Sequence, residues 1–114
     1  MLLKINRLKK RSDFDWVFKR GLKFKEDFLS LKVVKNNLKH SRFAFIVSQK
    51  ISKKATLRNK IKRGLRMIIR VNLQKIKKGL DIILVVNSGL EKKDFWELEE
   101  ILYTLFKKAN LLQK

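Results

Sequence analysis

Between Lys53 and Arg70 the chain reads KKATLRNKIKRGLRMIIR, eighteen residues with eight cations and no acid. At about 100° of turn per residue, Arg58, Lys62, Arg66 and Arg70 form one i, i+4, i+8, i+12 row, joined on its flank by Asn59 and Arg63. Leu57, Ile61, Leu65, Ile68 and Ile69 fall on a neighbouring arc, so the stretch reads as an amphipathic helix with one face for a core. The cationic face asks for a different partner. Fixed charges a helical turn apart sit about 6 Å from one another and repel. Solvated helices usually relieve this with acids at i, i+4, and this stretch has none. A polyanion relieves it instead: arginine forks grip phosphate oxygens in pairs, and Asn59 adds a neutral donor and acceptor for sugar or base edges.

The charge is local. Residues 28 to 80 hold sixteen Lys or Arg and no Asp or Glu, whereas residues 81 to 114 hold five bases against six acids. A net charge of +20 on 114 residues opposes compactness by self-repulsion and favours a polyanionic partner, nucleic acid before membrane. With 45% hydrophobic content, residues 1 to 114 are expected to form a single domain around one modest core. The absence of cysteine excludes disulfides and Cys-based zinc sites and points to a reducing, cytoplasmic setting. The single His40 cannot build a metal cluster and reads as a polar turn residue. The apolar start Met1 to Leu3 is broken by Lys4, and no long apolar run follows, so neither a signal peptide nor a membrane span is expected.

Taken in order, residues 1 to 11 carry five bases without a clear period and read as an extended basic arm. Ser12 is placed to cap a helix over residues 13 to 20, with Gly21 closing it in a left-handed conformation. Phe14, Val17 and Phe18 share one face of that helix, and spacing alone leaves open whether the two rings are core or surface. Lys23 to Asp27 reads as a connection. Phe28 to Lys35 and Arg42 to Ser48 have strand character, and the short link between them suggests an antiparallel hairpin. A polar, basic loop from Ser48 to Lys54 leads into the cationic helix, expected over Ala55 to Ile76 and stopped by Gly79. Asp81 to Asn87 is a near-continuous aliphatic run, as expected of a central, covered strand. Phe95, Leu98, Leu102, Leu105, Phe106 and Ala109 then repeat at helical spacing as the core face of a last helix. The order helix, strand, strand, helix, strand, helix gives an α+β sandwich with a small mixed sheet.

The spacing also carries a resemblance. Arg58-Asn59-x-x-Lys62-Arg63-x-x-Arg66, preceded by Lys53-Lys54-Ala55 and by Val47-Ser48-Gln49-Lys50, resembles the arginine-rich signature of the bacterial ribonuclease P protein subunit. The resemblance extends to the helix with Phe14 and Phe18 ending at Gly21, the strand opening at Arg42, the Gly79-x-Asp81 of the third strand and the final amphipathic helix. Departures are modest: Lys60 stands where that family usually has Arg, Gly64 where it has a bulkier residue, and Met67 where it has an acid or amide. The family implies a left-handed crossover through the basic helix, where pattern alone would suggest right-handed.

As an autonomous nuclease the chain is poorly equipped, because phosphodiester hydrolysis needs a general acid and base or a carboxylate cluster for metal ions, and residues 28 to 80 offer neither. No catalytic residue and no protein-held cofactor is expected. The resemblance implies that a catalytic RNA, with bound magnesium, removes the 5′ leader of precursor tRNA while the protein assists, with no other protein required. It implies two surfaces: Lys53, Lys54, Arg58, Asn59, Lys62, Arg63, Arg66 and Arg70 against the ribonuclease P RNA, and a cleft with Phe14, Phe18 and bordering Lys50 for the leader. A ribosomal or general RNA-binding protein would use the same stripe. A protein lying on anionic membranes would want Trp or Phe on the apolar face of the basic helix, and that arc is wholly aliphatic.

Overall fold

The computed structural model describes residues 4–51 and 53–113. The first three residues of the expected arm, Ser52 of the expected basic loop and the last residue lie outside them. The elements run α1 (Arg11–Arg20), β1 (Leu22–Glu26), β2 (Leu29–Lys35), β3 (Arg42–Val47), α2 (Ala55–Val71), β4 (Leu80–Val86) and α3 (Phe95–Lys108). The strands form one mixed sheet in the order β1-β2-β4-β3. The aliphatic strand β4 is central, antiparallel to β2 and parallel to β3, and every residue of it except Val85 is buried.

This pairing corrects the expected hairpin. β2 and β3 are consecutive but not neighbours, because β4 lies between them. A strand apolar on both faces is costly to leave at an edge, and here both its edges are occupied. Asp81, only 3% exposed at the start of β4, draws the two flanking strands together. Arg42 at the head of β3 donates from Nε and Nη2 to its two oxygens at 2.8 and 2.7 Å. Asn36, just past β2, donates from Nδ2 to Oδ1 at 2.8 Å. The Asp81 hydrogen bond raises the Arg42 pKa above its ordinary value against the opposing effect of burial. Arg42 also reaches Asp13 of α1 through Nη1 at 3.3 Å, so one guanidinium links three elements.

The stretch Lys23 to Asp27, expected as a connection, is strand β1 up to Glu26. Leu22 and Phe24 face one side and Lys23 and Lys25 the other, and a tight turn with Asp27 at φ 49° folds β1 back on β2. Ser12 does not cap α1: the helix begins one residue earlier, and the cap position is Lys10, which makes no side-chain capping bond. Gly21 is extended, at φ −71°, rather than left-handed. Its lack of a side chain matters for another reason, since a Cβ there would run into the Val17 carbonyl oxygen that accepts its N–H. The basic helix stops at Val71, short of Ile76, because Asn72 turns its side-chain amide onto the Ile68 carbonyl at 2.8 Å and a short 3-10 turn follows.

The main core lies between one face of the sheet and α2 and α3, with Leu65, Ile68 and Ile69 meeting Leu102, Leu105 and Phe106 over Leu31, Ile82 and Leu84. Ile101 joins this core, whereas Phe95, expected there, opens α3 with 39% of its surface exposed. Asp94 caps α3 by accepting from the Glu97 N–H while Glu97 accepts from its own. On the opposite face, α1 covers a smaller cluster of Leu8, Val17, Ala44 and Ile83. The expected extended arm winds into a short 3-10 turn over Lys4–Asn6 and is tied to the sheet: Arg7 bridges to Phe43, the Leu8 N–H donates to the Phe43 carbonyl at 2.9 Å, and Asn6 donates to the Ser41 carbonyl at 2.8 Å.

Candidate nucleic-acid interface

α2 spends its apolar arc on the core and leaves its cationic face outward. Leu65, Ile68 and Ile69 are buried, Leu57 and Ile61 half-buried, and Asn59, Lys60, Arg63, Met67 and Arg70 exposed. Arg58, Lys62 and Arg66 are half-buried along the flank. Arg66 is held there by Phe45 of β3, whose ring centroid lies 5.8 Å from the guanidinium carbon; an arginine so placed has less freedom to lose when it grips an anion. Lys53 and Lys54, both exposed, precede the helix and extend the same positive surface toward its amino-terminal end. The seventeen-residue helix spans about 25 Å at 1.5 Å per residue, enough to follow several phosphates.

The second expected surface lies on the other side of the sheet. Residues opposed across strands share a face, so Lys23 lies beside Lys32 and Ile83, and Lys25 beside Ser30 and Val85. α1 covers only the Ala44 and Ile83 part of that face, leaving Ile46 and Val85 half-exposed as an apolar floor with lysines along one side. The two rings differ. Phe14 is half-buried against the Val17 cluster, whereas Phe18 keeps 40% of its surface exposed. Lys32 binds the exposed ring's own residue twice, donating from Nζ to the Phe18 carbonyl at 2.8 Å and lying 5.6 Å from its ring centroid. Lys50 is exposed in the turn beyond β3, its N–H donating to Ser48 Oγ at 3.0 Å. Lys23, Lys25 and Lys32 were not among the expected site residues. The signal for the first two was the period-2 alternation Leu22-Lys23-Phe24-Lys25, which marks a strand with a basic face.

A family model described as Ribonuclease P matches residues 2–110. The chain belongs to the ribonuclease P protein family. It is 38% identical over 113 residues to the ribonuclease P protein component of Pseudanabaena sp. (strain PCC 6903), covering 98% of this chain and 97% of that one. Among solved structures it resembles the ribonuclease P protein of Thermotoga maritima, with a TM-score of 0.82 at 37% identity over 90% of this chain and 96% of the other. It resembles that of Staphylococcus aureus with a TM-score of 0.88 at 28% identity over 95% and 98%.

In this member of the ribonuclease P family five of the ten carboxylates serve the fold through ion pairs or a helix cap. Asp13 and Asp81 hold Arg42, Glu26 holds Lys108 at 2.8 Å, and Asp94 and Glu97 cap α3. Among the described residues no three His, Cys, Asp or Glu side chains gather where they could share a metal ion. Among them, too, no helix is long and apolar enough to cross a membrane.

Proposed function

We propose that this chain is the protein subunit of a bacterial ribonuclease P, holding the catalytic RNA on α2 and the 5′ leader of precursor tRNA in the cleft between α1 and the sheet. The observation that carries the reading is the acid-free cationic face of α2 on a chain of this family. Lys53, Lys54, Arg58, Asn59, Lys62, Arg63, Arg66 and Arg70 neutralise RNA phosphates and position the subunit, a role that needs charge and reach rather than base reading. Phe18, with Phe14 behind it, offers a ring face to unpaired bases, while Lys32, Lys25, Lys23 and Lys50 attract their phosphates. Stacking plus charge tolerates many sequences, which suits a subunit that meets the leaders of many tRNAs.

Hydrolysis belongs to the RNA subunit with its magnesium, and the protein works by binding both RNAs at once in the cytoplasm. Joining the two sites on one rigid domain makes the second binding event intramolecular, raising the effective concentration of substrate at the catalytic RNA. The test is reconstitution. A bacterial ribonuclease P RNA held at magnesium too low for its own activity should regain cleavage at the mature 5′ end of a precursor tRNA when the chain is added. Binding of that RNA without rescue would instead favour a general RNA-binding protein.

A further inference from the structure

The geometry points to a third RNA contact: a groove between the end of α2 and α3 that takes one unpaired base of the RNA held by the arginine stripe, guanine by preference. The inference rests on the RNA-binding reading of α2 and extends it to α3, which that reading leaves unused. The groove measures about 330 Å³, at the small end of the ~300–1,000 Å³ typical of ligand sites. Trp96 and Tyr103 line it and are among the most exposed large side chains described, at 74% and 57%. The two rings stand two turns apart on one face of α3 and lie outside the core, with the Phe95 ring set edge-on against Trp96 at 5.8 Å.

Charge and continuity decide the occupant. Val71, 74% exposed, lines this groove and also the adjoining hollow formed by Arg63, Arg66 and Arg70, so the aromatic surface runs without a break into the cationic one. A second copy of a chain with net charge +20 would bring like charge to that junction. An RNA strand crossing it would set phosphates on the arginines of α2 and turn a base toward α3, where ring faces are available for stacking. Glu99 and Glu100 line the α3 side and repel phosphate, while Lys75, just past α2, lines the other side and attracts it, which favours that orientation. Ionised carboxylates only accept hydrogen bonds. Guanine alone among the bases offers them two adjacent donors, N1–H and the N2 amino group.

A Trp16→Phe variant leaves Trp96 as the sole tryptophan, a reporter within the groove. Its emission should be quenched by a short single-stranded RNA carrying one guanine in a uridine tract, and much less by a blunt RNA duplex of equal charge. The quenching should persist when Phe18→Ala removes the exposed ring of the other cleft. Trp96→Ala should weaken binding of a bacterial ribonuclease P RNA by about 5- to 150-fold, the equivalent of 1–3 kcal/mol per stacked base, with an unchanged melting temperature. Silence of Trp96 toward both RNA probes overturns the site, and if Arg63→Ala still weakens RNA binding the reading of α2 survives that failure. Quenching by polyglutamate as strong as that by RNA would reassign the groove to acidic peptides. Equal response to all-uridine and guanine-bearing probes overturns the guanine preference.

Discussion

Asp81 is the side chain on which strand order depends, since it is buried and receives hydrogen bonds from the strand on one side and from the loop beyond the strand on the other. Asp81→Ala should destabilise the protein by about 3 kcal/mol, the low end for breaking a buried pair, because the Arg42 side chain left behind keeps 21% of its surface in water. Urea unfolding measures it, and a loss below about 1 kcal/mol would mean that the stranded guanidinium finds water or Asp13 at little cost. Phe14 and Phe18 should part ways in the same assay. Phe18→Ala should cost under about 1 kcal/mol, as for other exposed positions, yet weaken precursor tRNA binding by about 1–3 kcal/mol while leaving mature tRNA unchanged. Phe14→Ala should cost about 2–3 kcal/mol, approaching the value for a core ring. Equal losses for precursor and mature tRNA would refute the leader role of Phe18. Spacing in the sequence put both rings on one face; the greater exposure of Phe18 agrees with its place nearer the helix end, and the structure adds how far α1 overhangs the Val17 cluster. Lys32 escaped notice for a similar reason: only the register of β2 against β1 and β4 puts it beside Phe18.

At the scale of elements, α2 is where a rule of local propensity is broken without visible need. Gly64 sits in the interior of the helix, and a Cβ there would meet nothing nearer than Leu98 Cδ2 at 3.6 Å, an ordinary contact. Gly64→Ala should therefore stabilise the chain by about 0.5–1 kcal/mol, with RNA affinity unchanged, as thermal unfolding and a binding titration would show. A loss of stability instead would mean that α2 and α3 must approach more closely than this separation implies. Helices α2 and α3 and the central strand β4 were legible in the sequence because each carries a long, regular pattern, a 3.6 period or an unbroken aliphatic run. β1 was not, since three of its five residues are charged and its apolar members, Leu22 and Phe24, are exposed and half-buried. The hairpin expectation failed because a short connection permits pairing without requiring it. The six residues between β2 and β3 are enough to step past one strand, at about 4.8 Å per strand spacing, and the burial of β4 and Asp81 favours that step. The cap expectations at Ser12 and Gly21 turned on single residues at helix ends: the start moved back so that Lys10 holds the cap position, while Gly21 closes the helix where expected but in an extended conformation.

For the whole molecule the governing quantity is charge that the fold gathers rather than spreads. None of the ten acids lies in residues 28 to 80, while the stripe on α2 and the lysines of β1 and β2 stand on opposite faces of one sheet. The stripe was legible from spacing and the preference for a polyanionic partner from charge; that a second basic surface backs it became visible only with strand register. On the proposed reading, two basic surfaces on opposite sides of a domain with a 13.2 Å radius of gyration would let a catalytic RNA and a leader be held together without competing for the same residues. Replacing Arg63 and Arg70, both exposed, with Ala should leave the fold intact and, by easing repulsion, raise stability slightly at low salt. Affinity for a bacterial ribonuclease P RNA should fall, and the slope of log affinity against log salt should become shallower by about 0.7 to 0.9 for each phosphate that the variant no longer neutralises. Affinity for a free single-stranded leader should change far less, since the proposed cleft for that strand is on the other face. A fall in affinity with the slope unchanged would assign these arginines to base edges rather than phosphates, and a parallel loss of leader binding would show that the two faces act as one site.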